Sequence, residues 1–178
     1  MKKLHYVRHG QSEANKAELW AGITDSPLSA EGVEQAKNAG KKAKSQNLSF
    51  DVIVSSPKSR AHNTAKHIAA AIDYPLDKII INDLFAERDF GILENSPFKD
   101  PRWTTDQSII DNFEGVESVD KLFERAKKAH EFVLSLPHQR VLVVAHGNFG
   151  RAYRDIVNGK EKYSGGESFP HAEIFELL

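Results

Sequence analysis

Short apolar runs alternate along this chain with longer stretches whose apolar positions recur at helical spacing. Leu4 to Val7 reads as a strand, followed by Arg8-His9-Gly10 and a polar stretch. Ser29 is a suitable N-cap for a helix from about Ala30 to Gln46, with Glu31 in its first turn and Lys41, Lys42 and Lys44 towards its end, where each charge suits the helix dipole. Asp51 to Val54 is a second apolar run. Ser56-Pro57 then offers an N-cap and a proline at the first helical position, predicting a helix to about Ile72. Lys78 to Ile81 is a third strand. From Asn82 to Gly115 the pattern is irregular and polar, with a short helix expected near Trp103 to Phe113; Pro97 and Pro101 argue against one long element. Ser118 begins the most regular helix, with Val119, Leu122, Phe123, Ala126, Val133 and Leu136 on one face. Val141 to Val144 is a fourth strand, apolar throughout, as expected where helices cover both faces. A helix from about Asn148 to Val157 and a last strand from Ala172 to Leu178 complete the pattern. Such alternation predicts an α/β fold: one three-layer α/β/α domain over residues 1–178 with a mostly parallel central sheet.

A length of 178 residues suits one domain. Hydrophobic residues at 40% and charged residues at 28% allow an ordinary core. The net charge of −1 gives no basic excess, so neither a nucleic acid nor an anionic membrane is expected as partner. With no cysteine, disulfides, thiolate metal sites and thiol catalysis are excluded within this chain. Lys2 and Lys3 begin like the basic region of a signal peptide, but His5, Arg8 and His9 interrupt any apolar region behind them. No run approaches the roughly 20 apolar residues of a membrane helix. A soluble cytoplasmic protein is the expectation.

The chemistry lies at strand ends. Arg8, His9 and Gly10 follow the first strand, and His146-Gly147 follow the fourth. Arg60 falls in the first turn of the helix after the second strand, and Glu87 in the loop after the third. Sites far apart in sequence thus share the carboxyl edge of the sheet, where open α/β folds bind ligands. The combination suits phosphoryl transfer, in which positioning and charge stabilisation dominate. Arginine forks match non-bridging phosphoryl oxygens, and a neutral imidazole is a competent nucleophile that can hold a phosphoryl group. A carboxyl such as Glu87 can protonate the leaving oxygen. Glycine after each histidine lets backbone approach a ligand closely.

Arg8-His9-Gly10-Gln11-Ser12-Glu13-Ala14-Asn15 resembles the signature of the histidine phosphatase superfamily, which includes the cofactor-dependent phosphoglycerate mutases. Ser55 to Ala65, Leu84 to Gly91 and Val143 to Asn148 are similar, in order, to the family's other three blocks, so the resemblance covers nearly the whole chain. It implies a phosphoglycerate mutase-like fold and a metal-independent, histidine acid phosphatase-type phosphomonoester hydrolase without a cofactor. It also implies site roles: His9 as the residue phosphorylated, Arg8, Arg60 and His146 as the phosphate pocket, Asn15 and Gly147 as further contacts, and Glu87 as proton donor and then base. Two positions depart from the family pattern. Glu94 is followed by Asn95 where the family commonly has glycine, and Gly115-Val116-Glu117-Ser118 stands for Gly-Gly-Glu-Ser. Both bear on substrate selection more than on chemistry.

Alternatives stand beside these assignments. Glu13 and Glu94 are other candidate acids, and Asn15 could simply cap a turn. His62, His67, His130 and His138 read as surface or packing residues, whereas His171, just before the last strand, could reach the site rim. Phe98, Trp103 and Phe113 could stack on a substrate ring or, as the commoner use of aromatics in irregular segments, anchor the loop. A small phosphorylated metabolite is the expected partner. A phosphoglycerate mutase-type phosphotransferase and a phosphoprotein (phosphohistidine) phosphatase are the alternatives, and a non-catalytic binding domain is disfavoured because every catalytic residue type is present. The short interval from Glu87 to His146 argues against a mutase, while Arg88 after the catalytic glutamate argues for one.

Overall fold

The computed structural model describes residues 2–99 and 107–178. Strand β1 is Lys3–Arg8, and helix α1 is a single turn, Glu13–Lys16. Helix α2 is Ala30–Ser45, strand β2 Val52–Ser55 and helix α3 Ser59–Ala71. Strand β3, Ile80–Ile81, is two residues long because Leu76–Lys78 form a 3-10 turn where a longer strand was expected. Of the expected Trp103–Phe113 helix, residues 107–113 are described: Gln107–Ile110 form helix α4 and 111–113 turn away from it, while Trp103 lies outside the described residues. Helix α5 is Val119–Ser135, strand β4 Arg140–Ala145, helix α6 Gly147–Val157 and strand β5 Ile174–Glu176.

The five strands lie in the order β3-β2-β4-β1-β5. β1, β2, β3 and β4 are mutually parallel, and β5 runs antiparallel on the β1 edge. Strand periodicity divides the core in two. Leu4, Tyr6, Val52, Val54, Val141, Val143 and Ala145 face α5 and α6, meeting Leu122, Phe123, Ala126, Phe149 and Tyr153. Val7, Ile53, Leu142 and Val144 face the other way, onto Ala39 of α2 and Ala61, Ala65 and Ile68 of α3. The result is a single α/β domain with helices on both faces of a mostly parallel sheet, as the alternating pattern predicts. A third, smaller cluster of Trp20, Phe90, Leu93 and Ile110, with Phe98 and Phe113 packed on it, holds the irregular segment together. Phe98 and Phe113 therefore anchor that segment.

Two expected helix starts hold, since Ser29 accepts from Gly32 N and Ser118 from Lys121 N. The third does not. Ser56 and Pro57 precede α3, whose N-cap is Lys58 with no side-chain cap bond of its own. Asp25 takes over instead, accepting from Ser59 N at 2.9 Å across the loop. This frees the Ser56 hydroxyl for the site described below.

β1 and β4 are adjacent, yet the chain leaves them towards opposite faces, to α2 after β1 and to α6 after β4. A crevice must open between two such strands at their carboxyl ends. Arg8 pairs with Ala145 at the last rung of the ladder, so His9 and His146 emerge side by side into that crevice. Among the described residues no helix is long and apolar enough to cross a membrane.

Candidate active site

His9 is buried (3% exposed), and its Nδ1 lies 2.6 Å from the Gly10 carbonyl oxygen. A carbonyl only accepts, so Nδ1 carries the hydrogen and Nε2 of the neutral ring keeps its lone pair. Burial, with Arg60 and Arg8 nearby, pushes His9 well below the ordinary imidazole range. The ring is therefore neutral near pH 7, with one nucleophilic nitrogen and its tautomer fixed from behind.

Beside it, the His146 ring stands edge-on, with centroids 5.1 Å apart. Its backbone is braced by Tyr6, whose hydroxyl donates to the His146 carbonyl at 2.6 Å and accepts from His146 N at 3.0 Å. Gly150 makes room for this brace, because a Cβ there would stand 2.6 Å from the Tyr6 oxygen. Burial, then Arg60, His9 and Arg8, keep His146 well below the ordinary imidazole range as well. Its Nε2 lies 2.7 Å from Ser56 Oγ, and its buried Nδ1 has no hydrogen-bond partner among the described residues.

A cavity of about 190 Å³ opens on this group, lined by Arg8, His9, Asn15, Glu87, Gly147, Asn148, Arg151 and Ser168, with Leu19, Trp20, Phe90 and Phe98 along its apolar side. Arg8 donates through Nη1 to the Phe169 carbonyl and Ser168 Oγ, while its buried Nε has no partner among the described residues. Arg151 Nε and Trp20 Nε1 are in the same condition. A pocket whose lining holds three buried N–H donors without acceptors is suited to an electronegative ligand. The Arg8 guanidinium lies against the start of α6, where a Cβ on Gly147 would touch its Cζ and Nε at 3.4 Å and crowd Ser168 Oγ at 3.1 Å.

Glu87 is 7% exposed, and its carboxylate accepts from Arg88 N at 2.9 Å, Phe149 N at 2.9 Å and Asn148 N at 3.1 Å. Its loop is clamped by Arg125, which donates to the Leu84, Ala86 and Glu87 carbonyls and pairs with Glu117 at 2.7 Å. The other two candidate acids are elsewhere. Glu13 is exposed on α1, and Glu94 accepts from the N–H groups of Gly22, Ile23, Thr24 and Phe90, which makes it the anchor of the 22–24 loop.

Arg60, 1% exposed, grips the other side of that loop through the carbonyls of Ala21, Gly22 and Thr24 at 2.9–3.1 Å. Arg60 and His146 do not line the cavity; Arg60 lies close enough to His9 to lower its proton affinity, and the His146 ring stands edge-on beside it. Asn15 does both things expected of it. Its carbonyl closes a capping box with Ser12, and the side chain also lines the cavity. Arg88, by contrast, points away from the cavity. It is fully buried, donates to the Glu117 carbonyl at 2.7 Å and pairs with Asp111.

Four participants were not anticipated from sequence. Asn148 and Arg151 sit three residues apart on α6, so helical spacing from Gly147 could have placed both on the cavity side. Ser56 was read as a helix cap, and nothing local marks Ser168. His171 does reach the site, its Nδ1 lying 2.8 Å from the His9 carbonyl.

The chain is 36% identical over 142 residues to a Bacillus subtilis (strain 168) protein named as the uncharacterized phosphatase PhoE, spanning 79% of this chain and 69% of that one. It is 38% identical over 157 residues to the 2,3-bisphosphoglycerate-dependent phosphoglycerate mutase of Bradyrhizobium sp. (strain ORS 278), spanning 82% and 76%. Its fold matches the mycobacterial glucosyl-3-phosphoglycerate phosphatase solved with VO3, at a TM-score of 0.82 and 21% identity over 99% of this chain and 92% of that one. The profile of the histidine phosphatase superfamily (branch 1) matches residues 4–172, and the chain belongs to that family.

Proposed function

We propose that this protein is a phosphatase that hydrolyses small phosphate monoesters through a phosphohistidine on His9. One observation carries the reading most directly: a buried, neutral imidazole whose Nδ1 is tied to the Gly10 carbonyl, leaving Nε2 beside a cavity lined by Arg8 and Glu87. The phosphoryl group sits in the cavity against Arg8, Asn15 and the α6 backbone at Gly147, and Arg60 and His146, which stand beside His9 outside the cavity lining, bear on it from the His9 side. The His9 Nε2 lone pair attacks phosphorus as the ester P–O bond breaks, and the Glu87 carboxyl gives its proton to the leaving oxygen. Water then attacks the phosphohistidine while Glu87 takes a proton from it, and inorganic phosphate leaves with His9 restored. The Asn148 and Phe149 N–H groups hold the carboxylate in place between the two steps.

The size of the cavity, about 190 Å³, leaves room beyond a phosphoryl group for only a few further atoms, with Arg151 and Trp20 as donors and Leu19, Phe90 and Phe98 as apolar contacts. That favours a small metabolite over a phosphoprotein loop. The similarity to phosphoglycerate mutases supports a second reading, transfer of the phosphoryl group to another hydroxyl. Against it stands Arg88, the cation that pointed towards a mutase, which is buried and committed to Asp111 and Glu117.

The test is hydrolysis of an activated aryl phosphate and a panel of small phosphate esters by purified protein and by the His9→Ala variant. Turnover that vanishes in the variant, with acid-labile 32P retained by the native protein alone, is the expected result. Appreciable turnover by His9→Ala would end the covalent reading. Labelling by 2,3-bisphosphoglycerate with transfer to phosphoglycerate, but no hydrolysis, would replace it with the mutase.

A further inference from the structure

We infer that Ser56 is a positioning residue that fixes the tautomer of His146 so that Nδ1–H faces the phosphoryl group. This rests on the phosphatase reading above for its catalytic consequence, but not for its structural content. Both residues are completely buried, and Ser56 Oγ lies 2.7 Å from His146 Nε2. The hydroxyl also accepts from Lys58 N at 3.3 Å. That contact takes one of the two lone pairs of the oxygen, and among the described residues the buried hydroxyl hydrogen has no acceptor other than His146 Nε2, so it donates to the imidazole. The direction of the chain is therefore set from the backbone outward: Lys58 N–H to Ser56 Oγ, and Ser56 O–H to His146 Nε2. A neutral imidazole that accepts at Nε2 must carry its hydrogen at Nδ1. Nδ1 is the buried ring nitrogen that has no partner among the described residues, on a ring 5.1 Å from that of the nucleophile. Its donor is thus unspent among the described residues, on a ring beside the nucleophile, and open to an acceptor that reaches it. In the opposite tautomer Nδ1 would present a lone pair there and repel a phosphoryl oxygen.

The two histidines are tuned by opposite devices. A carbonyl on Nδ1 of His9 leaves Nε2 bare for attack, and a hydroxyl on Nε2 of His146 leaves Nδ1–H for donation. The early end of Ser56 as a helix cap fits this use, because Asp25 supplies the α3 N-terminus with the acceptor that Ser56 withholds.

Long-range 1H–15N NMR of the unliganded protein reads the tautomer without any variant. His146 Nδ1 is expected to resonate as a protonated nitrogen and Nε2 as a bare one; the reverse assignment would overturn the proposal. Ser56→Ala removes only the hydroxyl. It is expected to mix or reverse the His146 tautomers and to lower kcat and vanadate affinity by about ten- to a hundredfold, the range typical of losing an orienting partner. In a His146→Ala background the same change should alter turnover by less than about twofold, as coupled residues require. A kinetic loss that persists undiminished in that background, or an unchanged tautomer in Ser56→Ala, would make the serine merely structural. If instead His9→Ala retains turnover, the phosphatase reading falls while the NMR result still decides the tautomer.

Discussion

Asp111→Ala offers a quantitative test of why Arg88 is withheld from the cavity. The Arg88 side chain is 0% exposed and its Asp111 partner 21% exposed, so the variant deprives a buried guanidinium of a counter-charge. Breaking a buried pair from one side costs about 3–5 kcal/mol, and the partial exposure of Asp111 places this case near the lower figure. Asp111 Oδ2 also accepts from Val119 N at the start of α5, at 3.1 Å, and loss of such a cap adds about 1 kcal/mol. The total is about 4 kcal/mol, which for a chain of this length lowers Tm by roughly 8–16 °C. Urea unfolding and differential scanning calorimetry measure both quantities. Arg88→Met/Asp111→Ala should be more stable than Asp111→Ala alone, since the buried charge that lost its Asp111 counter-charge is gone. Arg88→Met by itself should hydrolyse small phosphate esters within about threefold of the native rate, a barrier change of about 0.7 kcal/mol, because the Arg88 side chain does not line the cavity. A loss below about 1 kcal/mol in Asp111→Ala would refute the buried pair. Abolished turnover in a stably folded Arg88→Met would put that arginine on the substrate and revive the mutase.

Glu87→Gln should slow hydrolysis of alkyl phosphates far more than that of nitrophenyl phosphate, whose leaving group needs no proton; equal slowing would point to another acid. Gly32→Ala should cost about 1–3 kcal/mol and impair turnover, because its Cβ would stand 1.9 Å from the Gln11 carbonyl oxygen and force the loop that follows His9 to move; native kinetics would show that the loop tolerates displacement. Acidification should destabilise the unliganded protein. His5, His9, His62, His67, His130, His146 and His171 are all held below the imidazole value of 6.5, with burial the largest cause for each. Below pH 6.5 the unfolded chain takes up protons that the folded one refuses, so Tm should be flat above that pH and fall beneath it; a Tm that rises between pH 7 and 5.5 would contradict the burial.

Regular periodicity made most of this fold legible. β1, β4, α2 and α5 fall within a residue or two of where their apolar patterns and Ser29 and Ser118 place them. The failures occur where a side chain has a long-range partner that no local pattern records. Ser56-Pro57 has the form of a helix start, but the hydroxyl is drawn 90 residues away to His146 and the cap is supplied by Asp25. The same holds for Glu94 and Arg88, both plausible site residues by their place in a motif and both used instead to hold backbone. Motif position identifies which loops meet at the sheet edge. It does not say which of their charged groups face inward.

The last rung of the β1–β4 ladder, Arg8 opposite Ala145, fixes how far apart the two histidines stand. That spacing is inherited from inter-strand hydrogen bonds at the centre of the sheet, so it should survive local openings that disorder the 22–24 loop or the Glu87 loop. A partly opened molecule would then keep the ability to take up a phosphoryl group on His9 while having lost the acid that releases the alcohol. Phosphoenzyme formation from activated donors and full turnover of ordinary esters should therefore fail at different denaturant concentrations, the second before the first.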